Sequence, residues 1–268
     1  MHATEIWTNV EAIRARNPLV HNITNYVVMN NTANALLALG ASPVMAHAEE
    51  EMEALADLTR LVGGALVINI GTLSRAWIDA MATAMRAAVA RGIPVVLDPV
   101  GAGATAYRTQ ACRDLLAAAR PAVIRGNASE IMALWKDGVT TKGVDSAHGT
   151  EAAAEAAREL ASRHACVVCV SGATDFITDG GHEARVHNGV PMMTRVTGLG
   201  CTASALTGAF LAVQPSALPA ATHAMAVMGI CGEVAAERAA GPGTLQTHFL
   251  DALYNLDRET IETRLRCS

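Results

Sequence analysis

The sequence has few aromatic residues and no long, uninterrupted apolar run. Aromatic side chains make up 3% of the 268 residues, whereas 51% of the residues are hydrophobic. Because small aliphatic side chains must fill the core, we expect closely packed helices and strands that are buried on both faces. Arg, Glu or His interrupts the alanine-rich stretches, and Glu5, Glu11, Arg14 and Arg16 lie near the beginning. We therefore expect neither a membrane span nor a signal peptide, and we predict a cytoplasmic protein.

The chain also lacks a basic stripe. Its 20 Lys and Arg residues are scattered, and the formal net charge is −5. A protein that binds a nucleic-acid backbone usually concentrates positive charge on one face. We therefore expect no nucleic-acid partner.

Cysteine is too sparse for a disulfide framework. The six cysteines are spread over a chain of 268 residues, so we expect free thiols. Cys166 and Cys169 form a CxxC pattern, but they lie in a run that reads as a buried strand. Odd spacing on a strand sends two side chains to opposite faces, so this pattern favours two buried hydrophobic residues over a redox pair.

Apolar runs of strand length alternate with helical patterns along most of the chain. Predicted strands span residues 19–24, 42–46, 65–70, 94–98, 122–125 and 166–171, and predicted helices between them include 30–39, 49–61 and 74–90. This alternation is typical of βαβ units and predicts an α/β fold with a mostly parallel sheet and helices on both faces.

The pattern changes late in the chain. Residues 174–178 and 184–187 flank a Gly-Gly pair and predict an antiparallel hairpin, whereas almost everything from residue 201 onward has a helical pattern. The sequence contains no linker, repeat or low-complexity tail. We predict a single domain over residues 1–268.

Polar residues follow the predicted strands, where ligands gather in open α/β sheets. Asp98 ends a strand and is followed by a Gly-Ala-Gly turn, an arrangement that can hold hydrated Mg²⁺ beside a phosphate chain. A plain turn capped by Asp98 is the alternative interpretation.

Two further strand ends carry polar groups. Arg125 offers a guanidinium fork for phosphate, and Glu130 lies one turn inside the next helix as a candidate ligand of metal or water. Glu130 could equally complete a capping box with Asn127. Ser171 ends another strand, and by itself it fits an ordinary turn.

A late turn at residues 197–203, Thr-Gly-Leu-Gly-Cys-Thr-Ala, leads into a helical pattern. Glycine permits turn conformations, and a helix start offers unpaired N–H groups to an anion. The sequence contains neither a P-loop nor a dinucleotide-binding Gly-x-Gly-x-x-Gly after its first strand. The turn therefore fits a phosphoryl-transfer site, a Cys201 nucleophile or a simple tight turn.

The N-terminal motifs are neutral rather than charged. They comprise residues 20–27, which include Asn25, together with Met45 and the 69–72 segment. Such neutral groups suit a small heteroaromatic or hydroxylated ligand. The alternative is that the polar groups satisfy buried backbone and that Met45 fills the core.

The ordered set of motifs resembles the hydroxyethylthiazole kinase family. The motifs are His-Asn-Ile-Thr-Asn at 21–25, Pro-Val-Met at 43–45, Asn-Ile-Gly-Thr at 69–72, Asp-Pro-Val-Gly-Ala-Gly at 98–103, Arg-Gly-Asn at 125–127 and Thr-Gly-Leu-Gly-Cys at 197–201. The resemblance implies a ribokinase-like three-layer sandwich. It also implies phosphorylation of 4-methyl-5-(2-hydroxyethyl)thiazole for thiamine salvage, with ATP and Mg²⁺.

The resemblance also implies roles for individual residues. The implied substrate-binding residues are Met45, Asn25, Gly198, Gly71 and Thr72. The implied ATP-binding residues are Arg125 and Ser171, and the implied metal ligands are Asp98 and Glu130. The implied catalytic residues are Cys201, Gly198 and Gly200. Cys201 would occupy the place of the aspartate base of most ribokinase-like enzymes, and a helix start is expected to lower the pKa of its thiol. The family also implies a homotrimer in which Gly71 and Thr72 act across a subunit boundary. Leu199 replaces the usual alanine of the turn, which puts substrate breadth in question.

Two other functions fit the same residues. A transferase or hydrolase with a Cys201 nucleophile would use the same helix start as an oxyanion hole, and a non-catalytic nucleotide sensor could share the fold. A covalent adduct on Cys201 would distinguish the first, and ATP binding without turnover would distinguish the second.

Overall fold

The computed structural model describes residues 2–135 and 146–268. The strands are β1 (Leu19–Ile23), β2 (Ser42–Met45), β3 (Ala65–Asn69), β4 (Val95–Asp98), β5 (Val123–Asn127), β6 (Val167–Ser171), β7 (Asp175–Thr178) and β8 (Glu183–Val186). The helices are α1 (Ala3–Arg16), α2 (Met29–Leu39), α3 (Met52–Val62), α4 (Arg75–Ala90), α5 (Ala106–Ala118), α6 (Ala128–Trp135), α7 (Ser146–His164), α8 (Leu199–Leu211), α9 (Ala217–Arg238), α10 (Pro242–Tyr254) and α11 (Arg258–Arg264).

All eight strands form one sheet in the order β2-β1-β3-β4-β5-β6-β7-β8. The first six strands pair in parallel, and β7 and β8 form an antiparallel hairpin at one edge. The predicted parallel strands and the late hairpin are therefore confirmed, with ends that shift by one or two residues.

Three elements differ from the sequence-based predictions. The structure adds α1, in which Ile6, Val10 and Ile13 recur at helical spacing and are fully buried. The expected helix over 49–61 begins as a 3-10 turn at Glu49–Glu51, and only then continues as α3. The helix after the late glycine turn begins at Leu199, two residues before Cys201.

Two apolar cores lie on opposite faces of the sheet and make a three-layer sandwich. In β3, Val67 belongs to one core, whereas its neighbours Leu66 and Ile68 belong to the other, because successive strand residues point to opposite faces. Cys166 and Cys169 are divided in the same way, which confirms the prediction for that pair. All six cysteines are free thiols, as expected.

Helix α9 lies within one of these cores. Within the described residues it is the one helix that is long and apolar enough to cross a membrane by length and composition, a feature that the sequence analysis did not anticipate. In the fold, 78% of its most apolar window is buried against the rest of the chain. Its composition is therefore that of a central core helix.

Helices α1 and α9 share a buried polar pair that should make stability depend on pH. The Asn9 side-chain amide donates to His223 Nδ1 at 2.7 Å, and burial lowers the pKa of His223 from 6.5 to about 4. Protonation of His223 therefore favours the unfolded chain. Between pH 6.5 and 4 we expect this group to remove up to about 3 kcal/mol from the free energy of unfolding.

Denaturant unfolding at several pH values measures this effect. His223→Gln keeps an acceptor for Asn9 but cannot titrate, so its free energy of unfolding should fall less steeply between pH 6.5 and 4. Equal slopes in the two proteins would contradict the assignment.

Candidate functional site

Polar side chains converge where the parallel strands end. Asn69 and Asp98 are partners in the register of β3 and β4, and Asn127 and Ser171 are partners in the register of β5 and β6. The carboxyl ends of parallel strands lie at one edge of the sheet. The structure thus brings to one edge residues that are more than 100 positions apart in the chain.

Asp98 is the most buried acid of this edge, with 1% of its surface exposed. Asn69 Nδ2 and Ser204 Oγ donate to its Oδ2 at 2.8 and 2.7 Å, and Arg125 Nη1 lies 3.9 Å from the same oxygen. Burial raises the pKa of Asp98 to about 7, although the positive charge of Arg125 opposes the shift. Its other oxygen, Oδ1, is buried and has no hydrogen-bond partner among the described residues.

A chain of amides connects Asp98 with Cys201. Asn69 Oδ1 accepts from Asn25 Nδ2 at 2.8 Å and from the Gly71 backbone at 2.9 Å, and Asn25 Nδ2 lies 3.5 Å from Cys201 Sγ. A Cβ on Gly71 would lie 2.5 Å from Asn25 Nδ2. Glycine at this position therefore allows the loop after β3 to approach Asn25.

Cys201 is a neutral thiol in this environment. Burial raises its pKa to about 11, with a contribution in the same direction from the nearby charge of Asp98. The expectation that the helix start would lower this pKa is therefore wrong, because loss of water around the thiolate outweighs the favourable helix end. The thiol can take part in hydrogen bonds, but it is poorly suited to act as a thiolate nucleophile at neutral pH.

The two glycines of the late turn have different roles. Gly198 adopts a left-handed conformation, with φ at +86°, and forms the N-cap of α8. Gly200 already lies inside the helix, where a Cβ would be 3.1 Å from Arg125 Nη1. The first α8 amides can therefore lie beside the Arg125 guanidinium, and both groups suit an anion.

Arg125 extends from β5 toward the neighbouring strand. Its Nη2 donates to Ser171 Oγ at 2.5 Å, and the Ser171 hydroxyl lies 3.3 Å from the Gly126 carbonyl oxygen. Arg125, Ser171 and Gly200 line a cavity of about 600 Å³. The remaining wall includes apolar side chains, among them Met225 and Met228.

Glu130 completes a capping box, the structural alternative raised by the sequence. Its Oε2 accepts from the Asn127 backbone at 2.8 Å, and Asn127 Oδ1 accepts from the Glu130 backbone at 2.9 Å. Oε1 accepts from the backbone of Gly101 at 2.9 Å. Each carboxylate oxygen keeps acceptor capacity, so this hydrogen bonding leaves Glu130 able to accept from a metal-bound water.

The carboxylates of this edge suit the coordination of Mg²⁺. Within residues 2–135 and 146–268, no three His, Cys, Asp or Glu side chains are grouped closely enough to hold a metal. Mg²⁺ commonly uses only one or two carboxylates, with waters and substrate phosphates as the other ligands. The free Oδ1 of Asp98, with Glu130 nearby, fits this coordination.

Met45 and Thr72 lie at or just beyond the ends of strands toward the β2 end of the sheet. Met45 ends β2, the outermost strand, which is separated from β5 by three strands, and it is only half-buried. Thr72 is also half-buried, on the turn after β3. Trp77 contacts the rings of Tyr26 and His47, with centroid distances of 4.9 and 4.4 Å.

Three residues of this region were missed by the sequence analysis. Ser204 follows Cys201 by three positions, so helical spacing could have placed both on one face. Asp175 lines the cavity and accepts from the Gly172 backbone at 3.0 Å, and burial raises its pKa to about 6. Arg108 donates to carbonyl groups of the loops after β3 and β4, and no sequence motif marked it.

The chain is similar to hydroxyethylthiazole kinases over nearly its whole length. The model of the hydroxyethylthiazole kinase family matches residues 10–259. The hydroxyethylthiazole kinase of Syntrophus aciditrophicus is 59% identical over 261 residues, which cover 97% of this chain and 95% of that protein. The corresponding protein of Nitratidesulfovibrio vulgaris strain Miyazaki F is 55% identical over 99% of this chain and 98% of its own length.

Solved structures agree with this relationship. The structure of the hydroxyethylthiazole kinase protein from Pyrococcus horikoshii OT3 matches with a TM-score of 0.90 and 44% identity, covering 99% of this chain and 98% of that one. Pyridoxal kinase from Staphylococcus aureus, at 18% identity and a TM-score of 0.60 over 80% of this chain and 86% of its own, shares the fold. The expected ribokinase-like fold is confirmed, and the chain belongs to the hydroxyethylthiazole kinase family.

Proposed function

We propose that this protein transfers the γ-phosphoryl group of ATP to the primary alcohol of 4-methyl-5-(2-hydroxyethyl)thiazole, giving the phosphate ester used in thiamine salvage. The match to the kinase family over nearly the whole chain carries this proposal. The cluster of Asp98, Arg125 and the α8 N-terminus supports it, since phosphoryl transfer depends on positioned charge. We further propose that residues 1–268 form a single kinase domain that acts in the cytoplasm.

The 600 Å³ cavity is our proposed nucleotide site. Its volume lies within the usual range for small-molecule pockets, and its wall is largely apolar away from Arg125. We place the adenine ring against this apolar wall and the phosphates beside Arg125 and Ser171. The guanidinium fork and the first amides of α8 then face the phosphoryl group that is transferred.

The acceptor alcohol belongs on the opposite side of the α8 start. Asn25, Gly71 and Cys201 lie together there, and we place the hydroxyl near Cys201 with the thiazole ring toward Met45 and Thr72. The neutral amides and the thioether suit a small uncharged heteroaromatic ring. Gly198 would let the backbone approach this substrate closely.

A homotrimer would complete this acceptor side. β2 is an outer strand, and Tyr26 and Val27, which follow the neighbouring strand β1, are 65% and 66% exposed. An open sheet edge with exposed apolar groups is suited to contact with another chain. We propose that a neighbouring subunit covers Gly71 and Thr72, and size-exclusion chromatography with light scattering tests for three chains per particle.

Asp98 and Glu130 are the residues that would hold Mg²⁺. When bound, the ion would neutralise charge on the phosphates of ATP. The chain itself supplies the other contributions. Asn69, Ser204 and Arg125 orient the Asp98 carboxylate. The amides of Gly198 to Cys201 stabilise charge as the substrate hydroxyl attacks the γ-phosphorus in line, the bond from that phosphorus to ADP breaks, and the hydroxyl proton passes to solvent. Most of the rate acceleration would then arise from positioning and electrostatics.

A coupled ADP-release assay with a panel of small alcohols tests this function. We expect rapid ADP formation with the hydroxyethylthiazole, together with a stoichiometric monophosphate ester detected by mass spectrometry. An analogue that ends in an ethyl group rather than a hydroxyethyl group is the matched control, because it cannot accept phosphate. ATP binding without turnover on any alcohol would overturn the proposal in favour of a nucleotide sensor.

Replacement of Cys201 should have a modest effect. Because its thiol is neutral, we expect Cys201→Ser and Cys201→Asp to retain kcat within about tenfold, less than the ~10²–10⁴-fold loss typical of a decisive general base. Steady-state kinetics and intact-protein mass spectrometry after substrate addition provide the measurements. A covalent adduct on Cys201, with inactive Cys201→Asp, would instead support the cysteine-nucleophile mechanism.

A further inference from the structure

Part of the wall of the proposed nucleotide cavity is a loop without regular secondary structure. The loop follows β8 and contributes Asn188, Gly189 and Val190 to the cavity lining. It continues into the 3-10 turn Pro191–Arg195, in which Met193 also lines the cavity. Because a loop has no ladder of backbone hydrogen bonds of its own, its position must be set by neighbouring elements.

Helix α9 supports this loop by direct backbone contact. A Cβ on Gly229 would lie 2.5 Å from Asn188 Cβ, and a Cβ on Gly232 would lie 2.2 Å from Met193 Sδ. Real Cβ atoms do not approach so closely. The two glycines therefore bring the loop directly onto the helix surface.

Glu233, the next residue of α9, holds the loop by its carboxylate. Its Oε1 accepts from the Gly189 backbone at 2.7 Å and from Asn188 Nδ2 at 3.1 Å. Only 9% of the Glu233 surface is exposed. A buried carboxylate requires partners of this kind, because burial without them is costly.

Arg266, in the segment after α11, supplies the opposite charge. Its guanidinium lies 2.7 Å from Glu233 Oε1, and its backbone N–H donates to Asn188 Oδ1 at 2.8 Å. Residues around it continue the sheet, since Arg185 and Ser268 exchange two backbone hydrogen bonds at 2.8 and 3.0 Å. One carboxylate thus connects α9, the cavity loop and the chain after α11.

We propose that Glu233 is a positioning residue for the nucleotide: it fixes the 188–190 loop against α9 without itself lining the cavity, and Arg266 assists it. This inference rests on the proposed assignment of the cavity to ATP. A loop that is held in place before binding need not be ordered by the nucleotide, so loss of this support should weaken ATP binding specifically.

Glu233→Gln tests the proposal, since the side chain keeps its size but loses its charge. We expect the KM for ATP to rise about tenfold, as for loss of a hydrogen bond to a charged group, while kcat and the KM for the thiazole alcohol stay within twofold. Glu237→Gln is the matched control, because Glu237 lies one turn further along α9 and pairs with the Arg264 side chain at 2.6 Å, and neither residue lines the cavity. That variant should leave all three constants unchanged.

Two further variants keep the test decisive. Arg266→Ala alters a side chain that is 52% exposed and should raise the KM for ATP about threefold, even if Glu233→Gln does not fold.

Ala173→Trp places bulk at an exposed position of the cavity wall and should raise the KM for ATP strongly. If Ala173→Trp does so but the Glu233 and Arg266 variants do not, the role of Glu233 is overturned. A normal KM for ATP in Ala173→Trp would instead overturn the nucleotide assignment of the cavity.

An effect on every constant would also count against the inference. If folded Glu233→Gln lowers kcat and raises both KM values together, Glu233 supports the whole fold rather than the nucleotide wall. Melting temperatures of Glu233→Gln and Glu237→Gln, measured beside the kinetics, separate the two results.

Discussion

Asp98→Asn should reduce kcat by at least about a hundredfold, a loss typical of removing one electrostatic contact to the transition state. The substitution keeps the shape of the side chain and an acceptor for Asn69 and Ser204, but removes the negative charge next to Arg125. Without that charge the side chain can no longer hold Mg²⁺ beside the phosphates of ATP. Steady-state kinetics at saturating ATP and alcohol measure the loss.

The same substitution should not destabilise the protein. Because the pKa of Asp98 is raised in the folded state to about 7, its contribution to stability is present at low pH and is lost as the pH rises from about 4 through 7. At pH 8 the ionised carboxylate therefore opposes folding. Asp98→Asn removes this cost, and its free energy of unfolding at pH 8 should equal or exceed that of the wild type.

Denaturant unfolding and kinetics on the same samples test both expectations. Asp114→Asn is the matched control, because Asp114 is exposed on α5 and accepts only a surface hydrogen bond from Gln110 among its described contacts. It should retain normal activity. An active Asp98→Asn enzyme would refute the assigned role, and an inactive but strongly destabilised one would indicate that Asp98 serves mainly the fold.

Much of this site follows from the sequence for a simple reason. Parallel strands end at one edge, so any polar residue at the end of a predicted strand has its approximate position fixed once the strands are recognised. Asp98, Arg125 and Ser171 were found in this way, and the structure brings the three together. Their roles toward ATP and metal remain predictions.

Other features depend on packing that no local pattern encodes. The pKa of Cys201 is set by burial beneath residues from distant elements, which reverses the shift expected from its helix position. The Glu233 cluster joins residues 188, 233 and 266, and its members lie in segments with no shared motif. Gly200 was interpreted as a turn residue, whereas it lies inside α8, where a Cβ would be 3.1 Å from Arg125 Nη1; its catalytic role stays a prediction.

Gly198→Ala should have the second large effect on activity. A Cβ at this position would lie 2.8 Å from Val28 Cγ1, and the backbone has a positive φ of +86° that disfavours side chains. Both effects would move the start of α8, which carries Cys201 and the amides beside Arg125. A displacement of about 1 Å in a catalytic site can cost ~100-fold, so we expect kcat/KM for the alcohol to fall by about that factor.

Two variants separate backbone strain from displacement of the site. Gly63 also has a positive φ, +71°, but no atom lies within 4 Å of a Cβ there, so Gly63→Ala should lower stability by about 1–2 kcal/mol with normal activity. In Gly198→Ala, the further substitution Val28→Ala removes the atom that would clash and should restore part of the lost activity. If Val28→Ala gives no recovery, contact with Val28 does not set the position of α8. If Gly198→Ala retains full activity, the α8 start need not be held closely for phosphoryl transfer, and the electrostatic role proposed for its amides fails.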